Sequence, residues 1–441
     1  MSKIFPRHCL KSLPVATHGE GPFLYDQTGK SYFDGSGGAA VSCLGHSDLK
    51  VKDAIKAQVD AVAFAHTGFL TSEPAEQLAE MLVQYAPDGL DRVYLVSGGS
   101  EAMESALKLA RQYALERDEP QRRHVIARRQ SYHGNTLGAL ATGGNMWRRE
   151  PFAPMLMQAH HIAPCYAYRG QYEGESAFDY GQRVAQELED KIQDLGAGNV
   201  LAFVAEPVVG ATAGAVPPVE GYFKRVRQIC DQYGVLLILD EVMCGMGRTG
   251  TLFACEQDNI VPDICAIAKG LGAGYQPIGA MLCSSEIYET IRDGSGFFQH
   301  GHTYNGHPTA AAAALAVLTR LTEDGVGARV APMGAQLKSA LSDRFGAHPH
   351  VGDIRGRGLF LGLELVADRD TKTSFDPALG LAAKIKAAAF DAGLICYPMG
   401  GTIDGKTGAH VLLAPPFIME EPHIELICDR LQTALEASLP R

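Results

Sequence analysis

Residues 235–241 read Val-Leu-Leu-Ile-Leu-Asp-Glu. An apolar run with no polar alternation suits a strand covered on both faces, as in a parallel sheet flanked by helices. The stretch before it, Gly221–Gly234, has a helical pattern and ends on a glycine stop. Working outward, Arg92–Val96, Val125–Ala127, Leu201–Val204 and Ile264–Ala268 are further short strand-like runs. Ser100–Arg117 carries Ala102, Ala106, Leu109, Ala110 and Tyr113 at helical spacing, and Ser100 is expected to be its N-cap. Strand, helix and strand in succession predict an α/β layer architecture, with a mostly parallel central sheet between helices.

The two ends differ from this middle. Residues 1–70 are glycine-rich and mixed. From Glu323 a helix-like segment leads into residues 352–365, GDIRGRGLFLGLEL, which alternate like a strand pair. A helix at Pro377–Ala392 and a last one after Glu420 follow. The expected organisation is a large domain over 71–322 and a smaller α+β domain over 323–441, to which residues 1–70 contribute.

The chain has 441 residues, of which 46% are hydrophobic, enough for a sizeable core and against wholesale disorder. Its 39 Lys and Arg against 50 Asp and Glu leave a net charge of −11, which argues against a binder of nucleic-acid phosphates. No apolar run reaches the ~20 residues needed to span a bilayer. The opening MSKIFPRHCLKSLP has no apolar core of a signal peptide. The ten cysteines are scattered without a CxxC pair, the usage of a reduced cytoplasmic protein.

Four short segments carry residues suited to chemistry. Asp240-Glu241 follows the most buried-looking strand, where open α/β sheets bind ligands; a turn cap is the ordinary alternative. Lys269 ends another apolar run and is followed by closely spaced glycines in AKGLGAGYQPIG, although a lysine after a strand is more often a surface residue. Ser97-Gly98-Gly99-Ser100-Glu101-Ala102 sits at a strand-to-helix turn, where backbone N–H groups attract anions, or where the chain simply turns. Ser131-Tyr132-His133-Gly134 presents an aromatic ring beside a glycine, a pattern that packing alone also explains. Together they fit one chemistry. Pyridoxal phosphate needs a lysine for its aldehyde, an acid for its ring nitrogen, an anion site for its phosphate and a flat face for its ring. Lys269, Asp240, Gly99-Ser100 and Tyr132 supply these in turn.

The sequence resembles the class III aminotransferases, pyridoxal 5'-phosphate enzymes of fold type I. The resemblance is carried by SGGSEAMESALKLAR (97–111), SYHGNT (131–136), AEPVVG (205–210), LILDEVMCGMGRTG (237–250), IAKGLGAGYQPIGA (267–280) and HGHTYNGHP (300–308), so it spans nearly the whole chain. It implies that Lys269 forms the aldimine and carries the proton, and that Asp240 pairs with the ring nitrogen. Val242 and Tyr132 are then expected on the two ring faces, Gly99 and Ser100 at the phosphate, and His133 and Glu206 near the cofactor. It also implies a homodimer, alone or paired into a tetramer, with residues 1–70 at the interface and Thr303 reaching the partner subunit's cofactor. The expected activity is ping-pong transfer of an amino group from an ω-amino acid or primary amine to a keto acid, with pyruvate the expected acceptor.

Departures from the family pattern bear on that acceptor. Relatives that use 2-oxoglutarate often carry a glutamine where this chain has Met243, and an arginine where it has Leu412. The pyruvate branch often carries an arginine where this chain has Tyr397. The insert GTIDGKTGAH (401–410) offers Lys406 and His410 as substitutes. An aminomutase or racemase of the same family is an alternative. From another class, Gly98–Ala102 resembles a nucleophile elbow, so a serine hydrolase using Ser100 is the rival, although it leaves Lys269 and Asp240 unexplained. Gly245–Gly250 matches GxGxxG but opens no long helix, because Pro262 soon interrupts. His300, His302 and His307 lack the companions of a metal site.

Overall fold

A computed structural model describes residues 3–440. Its centre is a seven-stranded sheet in the order 92–96, 279–283, 264–267, 236–240, 200–205, 124–128, 160–162. All pairings are parallel except those of 279–283, which is antiparallel to both its neighbours. The fold class read from the sequence is therefore the one observed. Val200–Ala205 is buried at every position, and Leu237–Asp240 likewise, because helices cover both faces. Gly99–Glu116 packs on one face; Ala177–Leu195 and Tyr222–Tyr233 pack on the other. Each buried Leu, Ile or Val contributes ~1.5–3 kcal/mol relative to an exposed one, so these central strands hold the sheet together.

Two smaller sheets flank the centre. Val351–Arg357, Phe360–Leu365, Ala409–Leu413 and Tyr397–Gly400 form an antiparallel sheet backed by Val330–Phe345, Leu381–Asp391 and Pro422–Ser438. Ala16–Glu20, Phe23–Asp26 and Ser31–Asp34 form the other, and Leu394–Ile395 joins it in parallel with Ser31–Asp34. Sequence-distant ends of the chain thus share one sheet.

One local expectation is corrected. The helix after Val96 starts at Gly99, with Gly98 in the cap position and extended (φ 176°), so Ser100 is not the cap. The carboxylate of Glu101 instead accepts a hydrogen bond from the Ser97 N–H at 2.8 Å, closing the turn from inside the helix. Ser100 lies in the first turn, where its hydroxyl accepts from the Asn135 N–H at 3.1 Å.

Candidate active site

Parallel strands bring their C-terminal ends to one edge of a sheet, and ligands bind beyond that edge. Here five chain segments arrive there: Gly98-Gly99 after 92–96, Tyr132-His133 after 124–128, Glu206 after 200–205, Asp240 at the end of 236–240, and Lys269 just past 264–267. They line one cavity of about 450 Å³. Gly99, Ser100, Tyr132, His133, Glu206, Asp240, Val242 and Lys269 all border it.

Asp240 is 4% exposed and doubly held. One oxygen accepts from the Val242 N–H at 3.0 Å; the other lies 2.9 Å from His133 Nδ1. A carboxylate only accepts, so Nδ1 carries the proton there. His133 Nε2 is left buried without a partner. Glu206 accepts from the Tyr132 N–H through one oxygen at 3.2 Å, and its other oxygen has no hydrogen-bond partner. Arg128, fully buried against Tyr222 and Phe223, donates to the Glu206 carbonyl and approaches the free oxygen at 3.9 Å. Burial raises the Glu206 carboxyl above its ordinary value.

Lys269 has φ +46°, in the left-handed region that a residue with a Cβ adopts only at a cost of order 1–3 kcal/mol. The surrounding packing holds it there, with the amine facing the cavity. Burial lowers that amine to about 8, against the opposing pull of Asp240. Across the cavity, a Cβ at Gly99 would lie 2.7 Å from Val242 Cγ1, so only glycine lets the helix start approach this wall. The residues Ser97 to Ser100 present the helix N-terminus to the cavity, and such a terminus attracts anions.

Other expected residues fall elsewhere. Thr303 is exposed and does not line this chain's cavity. Met243 does, while Leu412 is fully buried in an apolar cluster with Tyr397 against it. The proposed substitutes are overturned: His410 is buried, bonded to Thr402 at 2.7 Å and the Ala211 carbonyl at 3.1 Å, and burial lowers its imidazole to about 3. Lys406 is exposed and pairs with Glu150 at 3.3 Å. The 245–250 glycine loop opens no helix; its Arg248 donates to the Leu359 and Pro415 carbonyls and so ties the segments together. Ser100 is not hydrogen-bonded to His133, so the hydrolase arrangement is not assembled. Sequence reasoning missed Val41, Ala211, Gln276 and Ile278 as cavity wall; only the last two lie in a segment already singled out.

The side chains fit a phosphorylated pyridine aldehyde: an amine with a lowered pKa, a carboxylate with a free lone pair, an N-terminal anion cradle, an aromatic wall at Tyr132 and an aliphatic one at Val242. These features define a pyridoxal-phosphate enzyme of fold type I.

Comparison with known proteins agrees. The family described as Aminotransferase class-III matches residues 5–435. A Schizosaccharomyces pombe protein described as an uncharacterized aminotransferase is 45% identical over 431 residues, covering 97% of this chain and 94% of its own. The crystal structure of a thermostable (S)-enantioselective ω-transaminase from Thermomicrobium roseum is similar with a TM-score of 0.93 at 36% identity, covering 100% and 97% of the two chains. An amine transaminase from an uncultivated Pseudomonas species, in its pyridoxal-phosphate-bound form, has a TM-score of 0.91 at 35% identity, covering 100% and 98%. The chain belongs to the class III aminotransferases and is a pyridoxal-phosphate-dependent transaminase.

Proposed function

We propose that this transaminase takes an amino group from an ω-amino acid or primary amine and passes it to a small keto acid, pyruvate being the expected acceptor, in two half-reactions that share Lys269. The observation that carries this reading is the convergence of the Lys269 amine and the Asp240 carboxylate on one cavity. Pyridoxal phosphate, when bound, supplies an aldehyde for amines and a cationic ring that accepts the electrons released at the substrate carbon. Asp240, fixed by His133 and Val242, would pair with the ring nitrogen of the bound cofactor. Gly99 and Ser100 would hold its phosphate, and Val242 and Tyr132 would confine its ring. With its pKa near 8, Lys269 Nζ can both take and return a proton around neutral pH.

The apolar Met243 and Leu412 support a small acceptor over 2-oxoglutarate, because neither offers a charge for a second carboxylate. A homodimer is the proposed unit. Tyr304, next to Thr303, and Phe64, whose ring lies 5.6 Å from it, are exposed, as are Phe69 and Leu70, which is how an interface would leave them in a single chain. Free, mostly buried cysteines support a reducing cytoplasmic setting. Among the described residues no helix is long and apolar enough to cross a membrane.

The test is a panel of amines against pyruvate and 2-oxoglutarate, using cofactor-loaded protein. The visible absorbance should bleach with amine and recover with pyruvate. Turnover with no added keto acid would instead identify an aminomutase or racemase, and Lys269→Ala with unchanged turnover would remove Lys269 from the reaction.

A further inference from the structure

A keto acid brings a carboxylate into a cavity that already holds Asp240 and Glu206 and receives a phosphate. Lys269 is the one Lys or Arg among the lining residues, and it is engaged in proton transfer. We propose that Arg148, at the cavity's Tyr132 wall, receives the substrate carboxylate in place of the two arginines replaced by Leu412 and Tyr397; this rests on the transaminase reading above.

Arg148 lies in the short helix Met146–Arg149, which follows the cofactor loop. Its guanidinium carbon sits 4.6 Å from the centroid of the Tyr132 ring and 5.6 Å from that of Trp147. Two aromatic faces hold the plane of the fork without consuming its donors. Among the described residues the side chain makes no ion pair and no hydrogen bond, and its Nε is buried without a partner. Its charge nevertheless reaches the cavity, where it opposes protonation of Lys269 and favours ionisation of Tyr132. The neighbouring Arg149 shows the contrast. It donates to the Ala141 and Gly143 carbonyls and lies 3.3 Å from His161 Nε2, so its donors are occupied by structure.

The insert that carries Lys406 and His410 has a different role: it positions Arg148. Asn145 caps the short helix through the Arg148 N–H at 3.3 Å and donates to Gln130 at 3.2 Å. Gln130 in turn donates to the carbonyls of Gly401 and Thr402 at 2.6 and 3.0 Å. A Cβ at Gly405 would lie 3.2 Å from the backbone nitrogen of Trp147, so the insert packs closely against this helix. The Lys406–Glu150 pair closes the other side. An arginine fork held in place in this way can make two parallel charge-assisted hydrogen bonds to a carboxylate.

The test compares cofactor-loaded wild type with Arg148→Met, Arg148→Lys and Arg7→Ala. Arg7 is the control because its charge also reaches Tyr132 from the exposed N-terminal segment. The first readout is the ratio of kcat/KM for pyruvate to kcat/KM for butanal, an acceptor without a carboxylate. Arg148→Met should lower it at least about tenfold, mainly through KM for pyruvate, equivalent to ~1.4 kcal/mol; Arg148→Lys should restore part of it. The second readout is calorimetric titration with propionate, which needs no turnover; its affinity should weaken by a similar factor. A ratio and a propionate affinity unchanged within about twofold would overturn the proposal, as would a loss that follows Arg7→Ala instead. If no amine bleaches the wild-type absorbance, the transaminase reading fails by itself, and the propionate titration still decides the role of Arg148.

Discussion

The lowered pKa of Lys269 makes a stability prediction that is independent of turnover. In the cofactor-free protein the amine titrates near 8, against 10.5 for an ordinary lysine. A base whose folded pKa is depressed stabilises the fold fully only above its unfolded pKa, and that stability is lost as pH falls through the folded pKa. Protonation of Lys269 should therefore cost the folded state about 3 kcal/mol at pH 7, about 2 kcal/mol at pH 9 and under about 1 kcal/mol at pH 10. Lys269→Met keeps the stem, the volume and the left-handed backbone but cannot carry the charge. It should stabilise the cofactor-free protein near neutrality by up to those amounts, and the gain should shrink to nothing above pH 10.5. The assay is denaturant unfolding of both proteins at one protein concentration from pH 6 to 10. A variant that is less stable at pH 7, or whose difference from wild type does not change with pH, would refute the claim that burial of this amine opposes its charge.

Asp240→Asn should lower turnover by at least about a hundredfold, since a neutral amide cannot hold the ring nitrogen cationic; a loss under about tenfold, ~1.4 kcal/mol, measured as kcat, would reject that role. Gly99→Ala should weaken cofactor binding and cost about 1–3 kcal/mol of stability, read by fluorescence titration and thermal melting, because its methyl would meet Val242 at 2.7 Å. Glu241 is fully buried, accepts from the Ala254 and Cys255 N–H groups and is raised by burial to about 7. Stability from this group is greatest below its unfolded value of 4.5 and falls as pH rises through 7, so Glu241→Gln should flatten the stability–pH curve between those limits. Arg355→Met should destabilise by about 1–3 kcal/mol in chemical denaturation, because it removes a 2.6 Å partner from the buried Glu364 while Arg169 still holds that carboxylate at 2.7 Å.

The parts of the fold that could be read from sequence are those whose burial speaks through composition. Val235–Leu239 has no polar face because helices lie on both sides of it, and its apolar run therefore marked the strand 236–240. The same logic located 92–96, 124–128, 200–205 and 264–267, and the strand ends then brought Gly99, Tyr132, Glu206, Asp240 and Lys269 to one cavity. The start of the helix at Gly99 was not legible in the same way. A serine after a strand is a good cap by propensity, but here the Glu101 carboxylate reaches back to Ser97, and the cap lies two residues earlier, at Gly98. The left-handed backbone of Lys269 left no signal either, since nothing in AIAKGLG distinguishes a strained lysine from a relaxed one.

The substrate end of the cavity was the least legible part, for a physical reason. Charge in the insert 401–410 pointed to Lys406 and His410, yet a charged or titratable side chain acts on a ligand only if its tertiary partners leave it free. His410 is taken up by Thr402 and the Ala211 carbonyl, and Lys406 by Glu150. Arg148 and Arg149 are adjacent and chemically identical in the sequence. Only the folded chain separates them, giving one the carbonyls of Ala141 and Gly143 and the other the face of Tyr132. Burying a guanidinium nitrogen without a partner is costly, and that cost is recovered when an anion arrives. The specificity of this site therefore depends less on which residue types are present than on which of them the fold leaves unsatisfied.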